Sequence, residues 1–328
     1  MSGERATAEL IADRGEAAAS AEFFRSPEFL EAEGVTHTLR VEAGGEALLA
    51  PLVVREIPDA DALDATSPYG YPGIARPPGS ASDFDPPIGG SKSDAPIDPA
   101  EVDFSATGLV SAFVRHTLGE PPLSGATERN VVQIADPALP LKSRGSDRNQ
   151  INKNRRKGYE VGLVPGPETT AEDRAGFIDA YEQTMRRAAA AAHYFFGADY
   201  FETILRSPRT WLAVATTPSG EVAAASIAAA SDGYLHYYLS GSADSHLRDS
   251  PMKNVVVALI EHATDLDLPL NLGGGMTTGD RLEEFKRGFA NRQSPWHTSE
   301  LICDRKAYVR LSSSSSHKPG TFFPAYRA

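Results

Sequence analysis

Cysteine is nearly absent from this 328-residue chain, where Cys303 stands alone. A single thiol forms no internal disulfide, so no covalent framework holds the fold and nothing points to an oxidising compartment. Cys303 lies in the strand-like run SELICD with no activating motif beside it, and reads as a buried structural thiol rather than a nucleophile. Long apolar runs are also missing: none approaches the roughly 18 residues that span a bilayer. The opening MSGERATAELIADRGEA is charged and has no apolar signal core. A soluble, cytoplasmic protein is expected. Positive charge is the minority sign, with 32 Lys and Arg against 44 Asp and Glu and a net charge of −12. That balance argues against a broadly basic surface coating nucleic acid, but leaves room for a local patch. There is no G-x-S-x-G elbow, H-E-x-x-H, paired C-x-x-C or Walker lysine motif. The eight histidines are scattered, and His236 (in a strand) and His262 (in a helix) read as structural or surface residues. Serine-hydrolase chemistry, a bound metal and a resident cofactor are therefore not expected.

What is present alternates strands with helices. The first residues look like a loose amphipathic helix. Ser26-Pro27-Glu28 is a helix start, with a capping serine, a proline suited to the first turn and an acid at the positive end. THTLRVEA, Gly44-Gly45 and EALLAPLVVREI read as a β-hairpin. A Pro/Gly/Asp/Ser-rich region, 59–103, carries the aromatic cluster SPYGYPGI. Residues 105–118 show helical spacing through Leu109, Val110, Phe113 and Leu118, and Val131, Val132 and Ile134 mark a strand. The second half repeats this grammar: a helix over 172–192, then WLAVATT, VAAASIAAA and YLHYYLS as antiparallel strands, a helix from Ser250-Pro251, and the strand LPLNLG. We therefore expect an α/β (α+β) protein of two related units, 1–140 and 141–310. The tail, 311–328, is expected to link through serines 312–316 and to dock Phe322, Phe323 and Tyr326 on the first unit.

Residues 271–289, NLGGGMTTGDRLEEFKRGF, join a strand ending in three glycines to a helix bearing Lys286 between Phe285 and Phe289. Gly273 and Gly274 allow a ligand or a backbone to approach closely, and Lys286 can point at the same gap. Lys286 reads either as a reacting-centre cation or as a surface lysine with a buried stem. Between 142 and 157 there are seven basic residues and one acid, Asp147. This run is either a phosphate-gripping patch or a solvated face paired with acids elsewhere. The strand–helix order of the second half matches acetyl-CoA-dependent N-acyltransferases of the GNAT type. Their CoA pyrophosphate sits on backbone amides of a glycine-containing loop at a helix start. Here that loop reads Arg248-Asp249-Ser250-Pro251-Met252-Lys253, with no glycine, one acid and a proline that removes a donor.

Several motifs in order resemble the Fem family of non-ribosomal peptidyl transferases (FemAB-like proteins). They are R-x-x-I-x-K-x-x-R-K-G-Y-E-V from Arg148 to Val161, T-x-x-R from Thr184 to Arg187, Tyr200-Phe201, YLHYYLSGS, NLGGG, and L-x-x-F-K-x-x-F from Leu282 to Phe289. SPYGYPG resembles the first domain of bacterial members. The resemblance implies two GNAT-like domains with mixed, largely antiparallel sheets flanked by helices. It also implies transfer of an amino acid from aminoacyl-tRNA to the amine of a peptide or small-molecule acceptor, forming an amide bond. It makes Lys286 the catalytic cation and Arg187 an anion anchor. Tyr69, Tyr71, Tyr200, Tyr237, Tyr238, Gly273, Gly274 and Phe285 are substrate-binding candidates. Arg148, Lys153, Arg155, Arg156 and Lys157 are tRNA-binding candidates. Tyr237 and Tyr238 alternate along a strand and so face opposite sides. For Tyr69 and Tyr71 a role within a tight turn stands beside binding. No general base is assigned. The helical-arm insertion of cell-wall members is missing, which turns the expected acceptor toward a shorter peptide or small amine, as in relatives that build antibiotics. The alternatives are an interpeptide-bridge ligase acting on cell-wall precursors, an acyl-CoA-dependent N-acyltransferase, and a binding module without catalysis.

Overall fold

The structure is a computed structural model describing residues 5–77, 96–277, 279–313 and 322–328. Serines 314–316 and most of the second half of the proline-rich region lie outside the described residues. Along the chain come β1 (Thr7–Ile11), α1 (Pro27–Ala32), β2 (His37–Ala43), β3 (Glu46–Glu56), β4 (Leu63–Thr66), β5 (Leu109–Arg115) and β6 (Thr127–Ala135). There follow α2 (Gly145–Arg156), β7 (Glu160–Pro165), α3 (Ala171–Arg187), α4 (Ala198–Leu205), β8 (Thr210–Thr216), β9 (Val222–Ser231) and β10 (Tyr234–Ser242). The last elements are α5 (Met252–Asp265), β11 (Leu270–Gly273), α6 (Arg281–Arg287), β12 (Arg292–Ile302) and α7 (Arg305–Ser312). They form two compact units, Met1–Arg129 with Pro295–Ala328, and Asn130–Ser294.

In the first unit the strands run β1-β2-β3-β4-β5-β12, antiparallel except for the parallel β4–β5 pair. The β2–β3 hairpin turns on Gly44 and Gly45, both at positive φ (62° and 84°), as a two-residue turn of matching twist requires. Ser26 Oγ caps α1 by accepting from the Phe29 amide at 3.3 Å. Two sequence expectations are corrected here. The N-terminal amphipathic helix is the edge strand β1, paired Thr7↔Glu42 to Ile11↔Thr38. The helix expected over 105–118 is the strand β5. Its neighbours bury both faces, Leu109, Ala112 and Val114 in the main core and Val110 under α7, so it lacks the alternation that marks a half-buried strand.

A fully buried carboxylate, Asp64 on β4, ties the C-terminal residues to this sheet. Arg55 Nε donates to its Oδ1 at 3.0 Å, and Arg327 donates to both of its oxygens and to the Glu56 carbonyl. Tyr326 Oη lies 2.8 Å from Ser111 Oγ and packs edge-on to Tyr308.

In the second unit the strands run β6-β11-β10-β9-β8-β7, antiparallel except for the parallel β10–β11 pair. On one face α5 packs Val255, Val256, Leu259 and Ile260 with Ala213, Ala228, Leu235 and Leu272, joined by Ile151 of α2 and Phe289. On the other face α3 and α4 supply the interlocked rings of Phe177, Tyr181 and Phe201, with centroids 5.1–5.8 Å apart. β9 is buried almost throughout, and its alanines let helices sit close on both sides. At Gly241 on β10 a Cβ would fall 2.4 Å from the α3 backbone at Ala180 and Tyr181, so only glycine fits beneath that helix. The β9–β10 ladder slips between Tyr237 and Leu239, leaving Tyr238 as the extra residue of a bulge.

Removing Arg327 leaves the buried Asp64 carboxylate with one arginine instead of two. We expect Arg327→Ala to lower stability by about 2–3 kcal/mol, read from urea unfolding; a change within error would show that the C-terminal contact contributes nothing.

Candidate functional site

Lys286 sits in the last turn of α6 and is 8% exposed. Its ammonium donates to the Gly274 carbonyl at 2.7 Å. A Cβ on Gly273 would stand 3.1 Å from Nζ, so the glycine brings the strand end directly against the charge. Burial lowers the ammonium's proton affinity to a pKa of about 8, against a smaller opposing pull from Asp280. Asp280 also builds the loop. One carboxylate oxygen caps α6 at the Glu283 amide (2.7 Å), and the other accepts from the Met276 and Thr277 amides at 2.7 and 3.0 Å. These bonds, the Glu283 amide first, hold its carboxyl below the usual carboxylate range. Asn130 closes the far side, donating to the Gly275 carbonyl at 2.9 Å. Lys286, Gly273 and Gly274 thus form one constellation. Phe285 points into the core and meets Phe289 edge-on at 5.5 Å.

The tyrosines fall into separate groups. Tyr200 Oη and Tyr238 Oη are 2.8 Å apart, and the Tyr200 ring stacks on Phe196 at 4.1 Å. The bulge aims Tyr238 at α4, whereas Tyr237 packs into the α5 core with its hydroxyl on Ser240 and its pKa pushed up to about 12 by burial. Arg187 is ion-paired with Asp244 and donates to Thr184 Oγ1 at 2.9 Å, fastening the end of α3 to the residues after β10. Tyr69 and Tyr71 belong to the first unit. Tyr71 lies edge-on to Phe24 (5.5 Å) and Trp296 (5.7 Å), and the Tyr69 amide donates to Glu33 at 2.7 Å.

The basic candidates lie on and just after α2. Lys153, Arg155, Arg156 and Lys157 are exposed, as is Arg148, which bonds Ser143. Lys157 pairs with Asp249 at 2.6 Å; Arg155 and Arg156 make no ion pair among the described residues. The inner side of α2 is locked onto the start of α5. Asn154, fully buried, donates to the Asp249 carbonyl and to Asn254 Oδ1, both at 2.8 Å, and Gln150 adds a bond to the same carbonyl at 3.0 Å. Lys253 pairs with Asp147 at 2.9 Å. Two amides of the first α5 turn are already used, Lys253 N on the Ser250 carbonyl (3.1 Å) and Asn254 N on that of Pro251 (2.9 Å). The Asp249 carboxyl, kept ionised by Lys157 and to a smaller degree by the Tyr159 hydroxyl, stands at the mouth of this helix.

Two residues not assigned to the site from sequence, Asn271 and His236 (the latter read as a structural or surface histidine), join the Lys286 loop. Asn271 Oδ1 accepts from the Gly273 amide at 2.8 Å, and Asn271 Nδ2 lies 3.0 Å from Nδ1 of His236. An asparagine inside an apolar strand just ahead of three glycines was the available signal. Among the described residues no cluster of His, Cys, Asp and Glu is placed to hold a metal, and no helix is long and apolar enough to cross a membrane.

Residues 145–287 match the acetyltransferase (GNAT) domain family. No curated protein matches the chain. Among solved structures, FemX is similar with a TM-score of 0.60 at 11% identity, over 92% of this chain and 99% of that one. The C-terminal domain of an Agrobacterium fabrum protein named as a lysylphosphatidylglycerol synthetase gives 0.54 at 14% identity, over 91% and 94%. L-PGS from Bacillus licheniformis gives 0.50 at 12% identity, over 81% and 84%. The chain therefore consists of two GNAT-like mixed α/β domains, similar in fold to FemX, and the second of them carries the match to the acetyltransferase (GNAT) domain family.

Below about pH 8 Lys286 is charged in both the folded and unfolded chain, and its burial opposes folding. Between about 8 and the ordinary value of 10.5 the folded chain has released the proton that the unfolded chain still holds, so stability rises with pH. That rise is about 3 kcal/mol over the window. Urea unfolding of wild type and Lys286→Met between pH 7 and 10.5 reads it as a difference in slope; equal slopes would mean the ammonium is hydrated.

Proposed function

We propose that the chain is an aminoacyltransferase that takes an amino acid from aminoacyl-tRNA and joins it to the amine of a peptide or small molecule. The observation that carries this reading is helix α2. Its inner side occupies the start of α5 with Asn154, Gln150 and the Asp147–Lys253 pair, where a GNAT enzyme would seat the CoA pyrophosphate. Its outer side carries Arg155 and Arg156, which make no ion pair among the described residues, together with Lys153 and Arg148. A polyanionic carrier that docks on an exposed basic helix fits this arrangement; a pyrophosphate that needs open amides and no neighbouring carboxylate does not. The name of one fold neighbour, a lysylphosphatidylglycerol synthetase, speaks of a lysyl group joined to an acceptor, which agrees with aminoacyl rather than acetyl transfer.

In the proposed reaction the acceptor amine attacks the ester carbonyl of the aminoacyl-tRNA. The C–N bond forms, an oxyanion develops on the carbonyl oxygen, and the C–O bond to the terminal ribose breaks. The amine's proton ends on the departing ribose oxygen. Lys286 is the cation opposite the developing oxyanion. Among the described residues it spends one of its three N–H groups, on Gly274. The substrate itself or water relays the proton. A small amine or short peptide acceptor, in natural-product assembly, is the finer form of the proposal.

The purified chain incubated with a set of charged tRNAs and an acceptor panel should give mass-spectrometric products that RNase abolishes. Lys286→Ala should lower kcat by about 100- to 1,000-fold. Arg155→Ala and Arg156→Ala should each weaken tRNA binding and reduce its salt dependence by about one counterion. Calorimetry with CoA should show no binding; tight CoA binding with no RNase-sensitive product would replace this reading by the acyl-CoA one.

A further inference from the structure

We propose that His236 and Asn271 are positioning residues for Lys286, fixing through a buried chain of hydrogen bonds the turn that presents the Gly274 carbonyl to the ammonium. The inference rests on Lys286 being the reacting-centre cation, but its geometry stands without any substrate.

The chain has one consistent direction. His236 on β10 and Asn271 on β11 face each other in the parallel register and are 2% and 1% exposed. His236 Nε2 lies 3.1 Å from the Ser231 carbonyl, which can only accept, so Nε2 carries the proton. A neutral ring then leaves Nδ1 as an acceptor for Asn271 Nδ2 at 3.0 Å. That fixes the amide orientation, because the flipped form would turn an NH₂ group toward the Gly273 N–H. Asn271 Oδ1 is left to accept from Gly273 N at 2.8 Å. A charged imidazole would set Nδ1–H against the same amide donor. Burial agrees, keeping the ring neutral with a pKa of about 4.

The last link sets the backbone. The β11–β6 ladder slips between Asn271 and Gly273, so β11 leaves the regular register there. Gly273 takes φ +75°, a left-handed turn, while its amide is held by the side chain two residues back. The next carbonyl, that of Gly274, is the one Lys286 meets at 2.7 Å. The ionised groups around α6 and the neighbouring end of α2 are otherwise committed. Asp280 is spent on three amides, Glu283 on Gly279 N and Arg287, and Glu284 pairs with Arg144, while Asp147 pairs with Lys253. Gly274 is therefore the acceptor recorded for the ammonium among the described residues, and its direction is set from the imidazole side.

The test reads Lys286 without turnover. Site-resolved acetylation with acetic anhydride, quantified by mass spectrometry across pH, should give a Lys286 midpoint near 8 in the wild type. In Asn271→Ala and His236→Leu, folded by circular dichroism, the midpoint should move up by about one unit or more as the loop opens to water. His236→Asn, whose Oδ1 can take the place of Nδ1, should retain the wild-type profile. An unchanged midpoint in Asn271→Ala, or identical profiles for His236→Leu and His236→Asn, overturns the proposal. Hydrogen exchange on the wild type adds a variant-free arm: a protected Gly273 amide supports the chain, and exchange at the rate of an open loop overturns it. Failure of the transfer assay in all forms would leave this result untouched.

Discussion

An ammonium withdrawn from water must meet an acceptor, and the second unit is organised around that demand. Among the described residues Lys286 hydrogen-bonds one backbone carbonyl, that of Gly274. Every element near it then has a definable task. α6 is capped by Asp280 so that its last turn is held in place, and the glycine-rich loop is folded back on the same carboxylate. Asn130 pins the loop's outer carbonyl, and Phe285 and Phe289 anchor the helix in the core. The carbonyl is a weaker partner than a carboxylate would be. The lysine therefore holds its proton loosely.

The second organising contact is between α2 and α5. A helix start is by default an anion site, since its first amides are unpaired. Here the unit closes that site from within, using amides, an ion pair and a resident carboxylate. On the outer face of α2, Arg155 and Arg156 make no ion pair among the described residues.

Much of the second unit was legible because its signals are local. The Ser250-Pro251 helix start, the alanine-rich strand and the turns between the three antiparallel strands all follow from neighbouring residues. The hairpin on Gly44-Gly45 and the cap at Ser26 were legible for the same reason. β1 and β5 were not. β1 is only five residues long and becomes a strand because β2 offers it a ladder; β5 is covered on both sides and shows no period of two. In the site, Lys286 and the glycines advertise themselves through residue type and adjacency. His236 and Asn271 are 35 positions apart and acquire a joint role only through the register of β10 on β11. No local pattern encodes that pairing.

The first unit is assembled from two separated stretches of chain, and its buried Asp64 carboxylate takes one of its two arginines from position 327. The second unit is a single uninterrupted stretch. During synthesis from the N-terminus the two therefore mature on different schedules. The uninterrupted unit can complete its sheet while translation continues. The other stays unfinished, with a buried acid short of one of its two arginines, until residue 327 has emerged.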